Sequence, residues 1–419
     1  MAASADTEVA DPSDLEPAKD SPQKSVRVWF RDAAREYGPA LAAFGAARLI
    51  AFSTFMFLLS HSGEYLKKDP RYGGGAHPWD VLASWDGWWY QNVATQGYHP
   101  KLVPITSGWW KAEQNSVAFF PLYPGLMKLV SSVTGLGTYG AGIAVSVITS
   151  FVAAAGVYAL TKVLAGRRAG VIAATVWGVF PGSGVEWALY SDSLFVALAV
   201  WSCYFVLVRN WYAAGAVCFM AGLNRPTSAA LAAAIGVAAL IALWKRRDGI
   251  LAPLTAVIIA PLGFIGYISW ASWRMGSPTA YFTLQHDAWL HYFDKGHYTR
   301  SVIKGLLYGK NNYLFAFTTE DMVALLLVFS LPVLIFLLIR MKVPVFLLVY
   351  TGITIVLVLG SQQIFGNTSR YLLPCFPLFL PIAVGLKRVS RTTLIGMFAM
   401  IAAMSGWYAG FVLFELGIP

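Results

Sequence analysis

The sequence predicts an all-α protein that crosses a membrane many times. Of its 419 residues, 57% are hydrophobic and only 12% are charged, which is typical of integral membrane proteins and too apolar for a soluble domain. Long apolar runs alternate with short clusters of Lys and Arg. We attribute the net charge of +10 to membrane topology, because cytoplasmic loops are enriched in basic residues. Nucleic-acid binding is a poor explanation for charge distributed in this way.

The N-terminal part of the chain is polar. Residues 1–23 are rich in Ala, Ser, Asp and Pro, which predicts a disordered tail and no cleavable signal peptide. In residues 24–37, apolar side chains recur at helical spacing with arginines turned away, which predicts an interfacial helix on the cytoplasmic leaflet. The first predicted crossing, residues 39–60, contains Arg48. Because a charge within a bilayer is costly, Arg48 is expected either to snorkel or to face a polar cavity, and we favour the cavity.

The rest of the chain, residues 38–419, is predicted to form one transmembrane domain. Every second gap between apolar runs holds a basic cluster, which places the N-terminus inside and predicts about eleven crossings. Two long polar regions, residues 61–135 and 273–320, are then external. The crossings predicted after the first are residues 139–160, 171–181, 189–208, 211–223, 229–244, 251–272, 322–339, 343–359, 371–386 and 393–413.

The first external region contains the most unusual stretch of the sequence. Asp86 lies in Ser-Trp-Asp-Gly-Trp-Trp-Tyr, and it is a good N-cap for an amphipathic helix over residues 87–96 that Gly97 ends. Residues 119–130 are apolar but too short to cross, which predicts a re-entrant or partly embedded helix. A helix cap is the simple interpretation of Asp86. However, burying a carboxylate among aromatic side chains merely for capping is costly.

Several motifs in this order resemble a known family. The chain has Trp85-Asp86 followed by Tyr90, then Gly97-Tyr98. The string Ala-Phe-Phe-Pro-Leu-Tyr-Pro spans residues 118–124, and Tyr-Ser-Asp-Ser-Leu-Phe spans residues 190–195. Further on are the Gln285 to Trp289 spacing and Ser369-Arg370-Tyr371 before two prolines. The chain resembles the integral-membrane glycosyltransferases of the GT-C superfamily. Within that group it is similar to bacterial relatives of the second mannosyltransferase of glycosylphosphatidylinositol assembly.

The resemblance implies an enzyme that moves a sugar, mannose in this family, from a polyprenyl monophosphate sugar to a lipid-linked or envelope acceptor. The reaction is an inverting single displacement outside the cytoplasm, with Asp86 as the general base. Arg370 and Arg225 are expected to bind the donor phosphate, although a flanking arginine can also simply snorkel. Asp192 is also interpreted as a helix cap. The expected substrate-binding residues are Trp89, Tyr90, Tyr98, Glu113, Tyr123, Tyr190, Asp192, Gln285 and Trp289.

The expected partners are the polyprenyl monophosphate sugar, a glycolipid or glycan acceptor and membrane lipids, without nucleic acid. No cofactor is predicted, and a divalent metal stays an open alternative. His286, His291 and His297 lie near Asp287 and Asp294, but their spacing matches no zinc motif. The three cysteines are predicted to be small core residues. A flippase or transporter of a lipid-linked sugar is the alternative function, although transporters favour internal repeats and short loops.

Overall fold

The computed structural model describes residues 26–106, 110–310, 313–314 and 316–419, with side chains from residue 31 onward. The predicted disordered tail and Trp109, which the aromatic pattern marks as an interfacial anchor, lie outside the described residues. The described helices are α1 (Val26–Ser62), α2 (Asp86–Gln96), α3 (Leu122–Thr134), α4 (Thr138–Ala165), α5 (Arg167–Gly178), α6 (Asp192–Leu207), α7 (Trp211–Gly222), α8 (Ser228–Trp244), α9 (Leu251–Ile259), α10 (Leu262–Arg274), α11 (Ala280–Trp289), α12 (His297–Leu307), α13 (Thr318–Arg340), α14 (Val345–Leu359), α15 (Thr368–Tyr371), α16 (Phe379–Leu386), α17 (Arg391–Ser405) and a π-helical continuation (Gly406–Leu416).

The second polar region is joined to the segment before α15 by two short strands. Strand β1 (Tyr292–Phe293) pairs antiparallel with β2 (Ser361–Gln362), and Tyr292 faces Gln362 in the register. The Tyr292 hydroxyl also donates to Gln362 Oε1 at 2.7 Å. This small sheet fixes the loop after α11 against the chain that leads to Arg370.

Helix α1 is continuous over 37 residues. The segment predicted as an interfacial helix and the first predicted crossing therefore form one helix, with Pro39 inside it. Arg48 lies in the protein interior, where its Nε is 3.3 Å from Glu186 Oε2 and its guanidinium is 3.8 Å from the centroid of Trp187. A buried carboxylate and an aromatic face thus compensate the Arg48 charge, instead of the expected polar cavity.

The protein is an all-α, multi-pass membrane protein. Among the described residues, five helices are long and apolar enough to cross a membrane, or six if the bent pair 365–371 and 376–386 counts as one span. The bend between the two parts of that pair is 82°. Four shorter apolar helices, α6, α7, α8 and α14, have between 12 and 17 residues. At a rise of about 1.5 Å per residue, these helices are roughly 18 to 26 Å long, shorter than a bilayer core of roughly 30 Å, so the predicted eleven crossings are not confirmed.

Close helix contacts set the position of the start of α6. A Cβ atom on Gly156 of α4 would lie 2.4 Å from Val200 Cγ1 of α6, so only glycine allows this approach of the two helices. A Cβ atom on Gly182 would lie 2.5 Å from the Cα of Arg370. The loop before α6 therefore packs directly on the backbone that carries Arg370. The three cysteines are free and buried, as the sequence predicts.

Candidate functional site

Asp86 is the first residue of α2. The preceding position is taken by Trp85, whose φ of 56° and ψ of −117° are unusual for a residue with a side chain, and no side chain caps the helix. The helix-cap interpretation of Asp86 is therefore wrong. Its carboxylate instead accepts a hydrogen bond from Arg370 Nη2. The predicted helix end is close to the observed one, since Gly97 follows α2 with a φ of 79°, although its ψ of −161° is extended.

Arg370 is the centre of the site. It is 2% exposed, so the snorkelling interpretation is wrong. Its Nε lies 3.2 Å from Asp192 Oδ1 and its Nη2 lies 3.1 Å from Asp192 Oδ2, which is a bidentate arrangement. Nη1 donates to the main-chain oxygen of Pro419 at 2.9 Å. The guanidinium also lies over the ring of Tyr190, 4.6 Å from its centroid, which adds a cation–π contact.

Asp192 connects the two arginines that the sequence analysis singled out. It is the first residue of α6, while Ser191 occupies the cap position without a side-chain hydrogen bond to the helix. The helix-cap interpretation of Asp192 is therefore also wrong. Its buried carboxylate accepts a hydrogen bond from Arg225 Nη1 at 2.6 Å in addition to those from Arg370. The Arg225 side chain is 16% exposed, and the Arg370 side chain is 3% exposed.

Asp86, Asp192, Arg225 and Arg370 thus form one arginine–aspartate cluster. They come from the starts of α2 and α6, the turn between α7 and α8, and α15. Two positive and two negative side chains make the cluster electrically balanced. The Asp86 side chain is 26% exposed, so it is the carboxylate of the cluster that a substrate can reach.

Aromatic residues line the α2 side of the cluster. Trp89 stacks on Phe119 with a centroid distance of 5.8 Å and meets the edge of Trp289 at 5.5 Å. The indole N–H of Trp289 is buried without a hydrogen-bond partner among the described residues. The buried hydroxyl of Tyr90 donates to Ser191 Oγ at 2.6 Å. Burial raises the pKa of Tyr90 to about 12, so this hydroxyl is neutral at physiological pH.

The other predicted substrate-binding residues divide into two groups. Tyr190 is fully buried beneath Arg370. Tyr98 donates to the Phe119 carbonyl at 2.7 Å, and Gln285 Nε2 donates to the Tyr281 hydroxyl at 3.1 Å. These three residues lie in or beside the aromatic lining.

Tyr123 and Glu113 lie apart from the cluster. Tyr123 is fully buried, and its hydroxyl contacts Ser146 Oγ at 2.7 Å and the Gly142 carbonyl at 3.0 Å. It therefore ties α3 to α4. Glu113 is exposed, and its side chain makes no hydrogen bond or ion pair with any residue that the structure describes.

Two residues of the site were missed by sequence reasoning. Asn224 Nδ2 donates to the Ser191 carbonyl at 3.0 Å, which holds the turn before α8 against the start of α6. Ser191 Oγ in turn accepts a hydrogen bond from the Tyr90 hydroxyl. Asn224 has no sequence signal beyond its place beside Arg225 between two apolar runs, whereas Ser191 lies within the Tyr-Ser-Asp-Ser-Leu-Phe motif.

The histidine-rich loop does not form a ligand cluster. His286 Nδ1 lies 2.6 Å from Asp287 Oδ1. Asp294 accepts from the backbone N–H groups of Gly296 and Tyr298, at 2.9 and 2.7 Å, and so shapes the turn into α12. Within the described ranges, no three His, Cys, Asp or Glu side chains come together in a metal-binding arrangement.

Comparison with known proteins identifies the fold. No protein-family model matches the chain, and no curated protein matches it in sequence. ArnT from Cupriavidus metallidurans, crystallised with undecaprenyl phosphate, is 12% identical with a TM-score of 0.53, over 91% of this chain and 78% of ArnT. The oligosaccharyltransferase of Archaeoglobus fulgidus is 15% identical with a TM-score of 0.45, over 88% of this chain. The match covers 56% of the oligosaccharyltransferase, so the chain spans about half its length. The GT-C-like fold predicted from the motifs is confirmed by the similarity to ArnT.

Proposed function

We propose that this protein is a membrane glycosyltransferase that uses a polyprenyl monophosphate sugar as its donor. Mannose is the sugar we expect, and the acceptor is a glycolipid or an envelope glycan. The arginine–aspartate cluster carries the proposal, because its reachable carboxylate, Asp86, contacts Arg370, which is connected through Asp192 to a second guanidinium, that of Arg225. The structural similarity to ArnT, which was crystallised with undecaprenyl phosphate, supports a lipid phosphate as the donor carrier.

The two arginines have different parts in binding the donor phosphate. Arg370 makes four hydrogen bonds to protein atoms, which occupy four of its five N–H groups. Among the described residues, the Arg225 side chain makes one hydrogen bond, to Asp192, and it is the more exposed of the two. Arg225 therefore retains the donors that can hold the phosphate of the incoming lipid. Arg370 is less exposed than Arg225. It is hydrogen-bonded to both Asp192 and Asp86, and so it connects the phosphate-binding arginine to the carboxylate that takes the proton.

Asp86 is the general base in this proposal. The acceptor hydroxyl attacks the anomeric carbon of the sugar, its proton passes to the Asp86 carboxylate, and the bond from the anomeric carbon to the phosphate oxygen breaks. The polyprenyl phosphate leaves with the electron pair of that bond. One nucleophilic displacement without a covalent enzyme intermediate inverts the configuration at the anomeric carbon.

The charge of the cluster changes in step with the reaction. The donor is a phosphodiester with one negative charge, and the released monoester carries between one and two. When Asp86 takes the proton, its own negative charge disappears. Arg370 contacts both Asp86 and Asp192, so it can then direct its charge toward the departing phosphate. Such preorganised stabilisation of developing charge is a large contribution in enzyme catalysis.

The aromatic residues complete the proposed site. Trp89, Tyr90 and Trp289 pack around Phe119 and form a wall along α2, the helix that begins with Asp86. Tyr98 joins this wall through its hydrogen bond to the Phe119 carbonyl, and Gln285, one turn before Trp289 on α11, adds an amide. Rings of this kind pack on the apolar faces of sugars, and the free indole N–H of Trp289 can donate to a sugar hydroxyl. Tyr190 supports the Arg370 guanidinium from below. Tyr123 is proposed to support the wall, because its ring meets that of Tyr90 with a centroid distance of 4.8 Å. Glu113 is proposed only as a distant contributor, because its side chain contacts no described residue of the cluster or the wall.

We propose that the cluster faces the outside of the cell membrane, with the N-terminus in the cytoplasm. In a variant lacking the native cysteines, single cysteines at His77 and Lys111 should react with an impermeant thiol reagent in intact cells. Cysteines at Arg167, Arg246 and Lys387 should react only after the membrane is opened. Reaction of Arg246→Cys in intact cells would contradict this topology.

The enzyme and transporter functions can be separated by one assay. Purified protein is reconstituted with radiolabelled polyprenyl phosphate mannose and a lipid extract as the acceptor source. An enzyme forms a larger labelled glycolipid, whereas a flippase changes only the leaflet that holds the label. Label that crosses the bilayer without any new product would support the flippase and end the enzyme proposal.

A further inference from the structure

Arg71 is a further cation near the start of α2, outside the arginine–aspartate cluster. Arg71 belongs to a short 3-10 turn, Pro70–Tyr72. Its main-chain oxygen accepts from the N–H of Trp85 at 2.8 Å, and its own N–H donates to Asp69 Oδ1 at 2.7 Å. The backbone of Arg71 is therefore hydrogen-bonded to that of Trp85, the residue directly before Asp86.

The guanidinium of Arg71 is held among aromatic rings. It lies 4.6 Å from the centroid of Trp88, 5.0 Å from that of Trp89 and 5.1 Å from that of Tyr72. Its Nη2 donates to Gln114 Oε1 at 2.9 Å. Contacts with rings on this scale fix the plane of the guanidinium without using its edge donors.

No carboxylate in the described part of the chain pairs with Arg71. The neighbouring cations behave differently, since Lys67 is 2.6 Å from Glu64 and Lys68 is 3.1 Å from Glu415. Arg48, Arg225 and Arg370 are also paired with carboxylates. Arg71 is half-buried, and only one of its five side-chain N–H groups is used by a described residue. A partly desolvated, oriented guanidinium with free edge donors is the group that binds carboxylates and phosphates.

We propose that Arg71, with Trp88 and Gln114, binds an oxyanion carried by the acceptor. This inference rests on the proposed glycosyl transfer. The Arg71 guanidinium lies over the Trp88 ring, 4.6 Å from its centroid, and a cation beside an aromatic ring suits a sugar bearing a phosphate or carboxylate group. The acceptor of this enzyme is then an anionic glycolipid or glycan, and a neutral sugar chain is a poor substrate.

Position assigns this oxyanion to the acceptor and not to the donor. The donor phosphate has its own cations in Arg225 and Arg370, which reach the cluster from the α7–α8 turn and α15. Arg71 belongs to neither element, and its guanidinium lies over Trp88 and Trp89, the second and third residues after Asp86 on α2. Asp86 takes the proton of the acceptor hydroxyl, so a cation held on the same turn of α2 favours the acceptor as its ligand.

The test measures binding and kinetics separately. Calorimetry on the purified full chain uses glucuronate, glucose 1-phosphate and decyl phosphate as anionic probes, and methyl glucoside as the neutral probe. We expect the sugar anions to bind the wild type about tenfold to a hundredfold more tightly than methyl glucoside, and Arg71→Gln to remove this difference. Decyl phosphate resembles the donor carrier and also binds at the proposed Arg225 site, so only the decyl phosphate affinity that Arg71→Gln removes would identify a lipid headgroup as the source of the oxyanion. Glucuronate or glucose 1-phosphate would identify the sugar.

Two further variants make the result specific. Arg300→Gln removes an exposed α12 cation and should bind every probe as the wild type does. Arg71→Lys keeps the charge but not the planar fork, so its affinity for the sugar anions should be intermediate. In the transfer assay, Arg71→Gln should raise the KM for acceptor about tenfold or more and leave the KM for donor unchanged.

The outcomes are distinguishable from those of the main proposal. Equal binding of charged and neutral probes by the wild type would overturn the inference. Wild-type anion binding by Arg71→Gln with a lower melting temperature would also overturn it, because Arg71 would then only hold the rings together. If Arg71→Gln lost anion binding while the wild type showed no glycosyl transfer, the Arg71 site would stand and the proposed glycosyltransferase function would be rejected.

Discussion

Asp86→Asn should give a folded protein whose transfer rate is about a hundredfold to ten-thousandfold below that of the wild type, the usual contribution of a positioned acid or base. The amide oxygen of Asn can still accept the hydrogen bond from Arg370 that Asp86 accepts. It cannot take the proton of the acceptor hydroxyl. Donor affinity should persist, because removing a negative charge from the cluster does not weaken its attraction for phosphate. The measurement is turnover and donor KM on purified, monodisperse protein.

Two controls accompany this variant. Asp86→Glu should recover little activity, since one more methylene displaces the base by about 1 Å and small misplacements of reacting groups are costly. Glu113→Gln changes an exposed carboxylate in the same polar region and should keep nearly full turnover. If Asp86→Asn turned over at close to the wild-type rate and Glu113→Gln did not, the role of general base would pass to Glu113.

The fold class was predictable because it depends on composition. The long apolar runs that form α4 and α13 were predicted as helices from their hydropathy. The segment after Asp86 was predicted as a short helix, and α2 confirms this prediction. The number of crossings was not predictable in the same way. Helices α6, α7 and α8 bury apolar side chains against other helices, while α7 and α8 also expose apolar side chains such as Tyr212 and Leu240. Hydropathy does not distinguish protein contacts from lipid contacts.

The cluster was predictable in its members and not in its geometry. Asp86, Arg225 and Arg370 each stood out as charged residues in an apolar chain. Their pairing joins residues far apart in sequence, since Arg370 and Asp86 are 284 positions apart, and no local pattern encodes such a contact. Asp192 was interpreted as a cap because Ser-Asp-Ser before an apolar run is a good cap signal. Its carboxylate instead accepts hydrogen bonds from Arg225 of the α7–α8 turn and from Arg370 of α15.

Arg370→Lys should lower turnover by about tenfold to a hundredfold, the effect of losing hydrogen bonds to charged groups. Lysine keeps the positive charge but cannot bridge Asp86 and Asp192 with a planar fork. If Arg370 responds to the charge that moves from Asp86 to the leaving phosphate, the loss should be in kcat, with little change in the KM for donor. Arg225→Lys should instead raise the KM for donor, because Arg225 holds the phosphate before the reaction. Steady-state kinetics with purified variants measures both constants.

Stability must be measured beside the kinetics. Arg370→Ala leaves the buried Asp192 with one cation fewer, and breaking a buried ion pair costs about 3–5 kcal/mol, so this variant is expected to be less stable as well as inactive. Arg370→Lys avoids most of that cost, which makes it the decisive variant. Arg209→Lys is the matched control, since Arg209 pairs with Asp248 at 3.4 Å and its side chain is 34% exposed; it should keep both stability and activity. A stable Arg370→Lys protein with wild-type kcat would show that the guanidinium has a structural role only, and the coupling of charge between Asp86 and the departing phosphate would then be rejected.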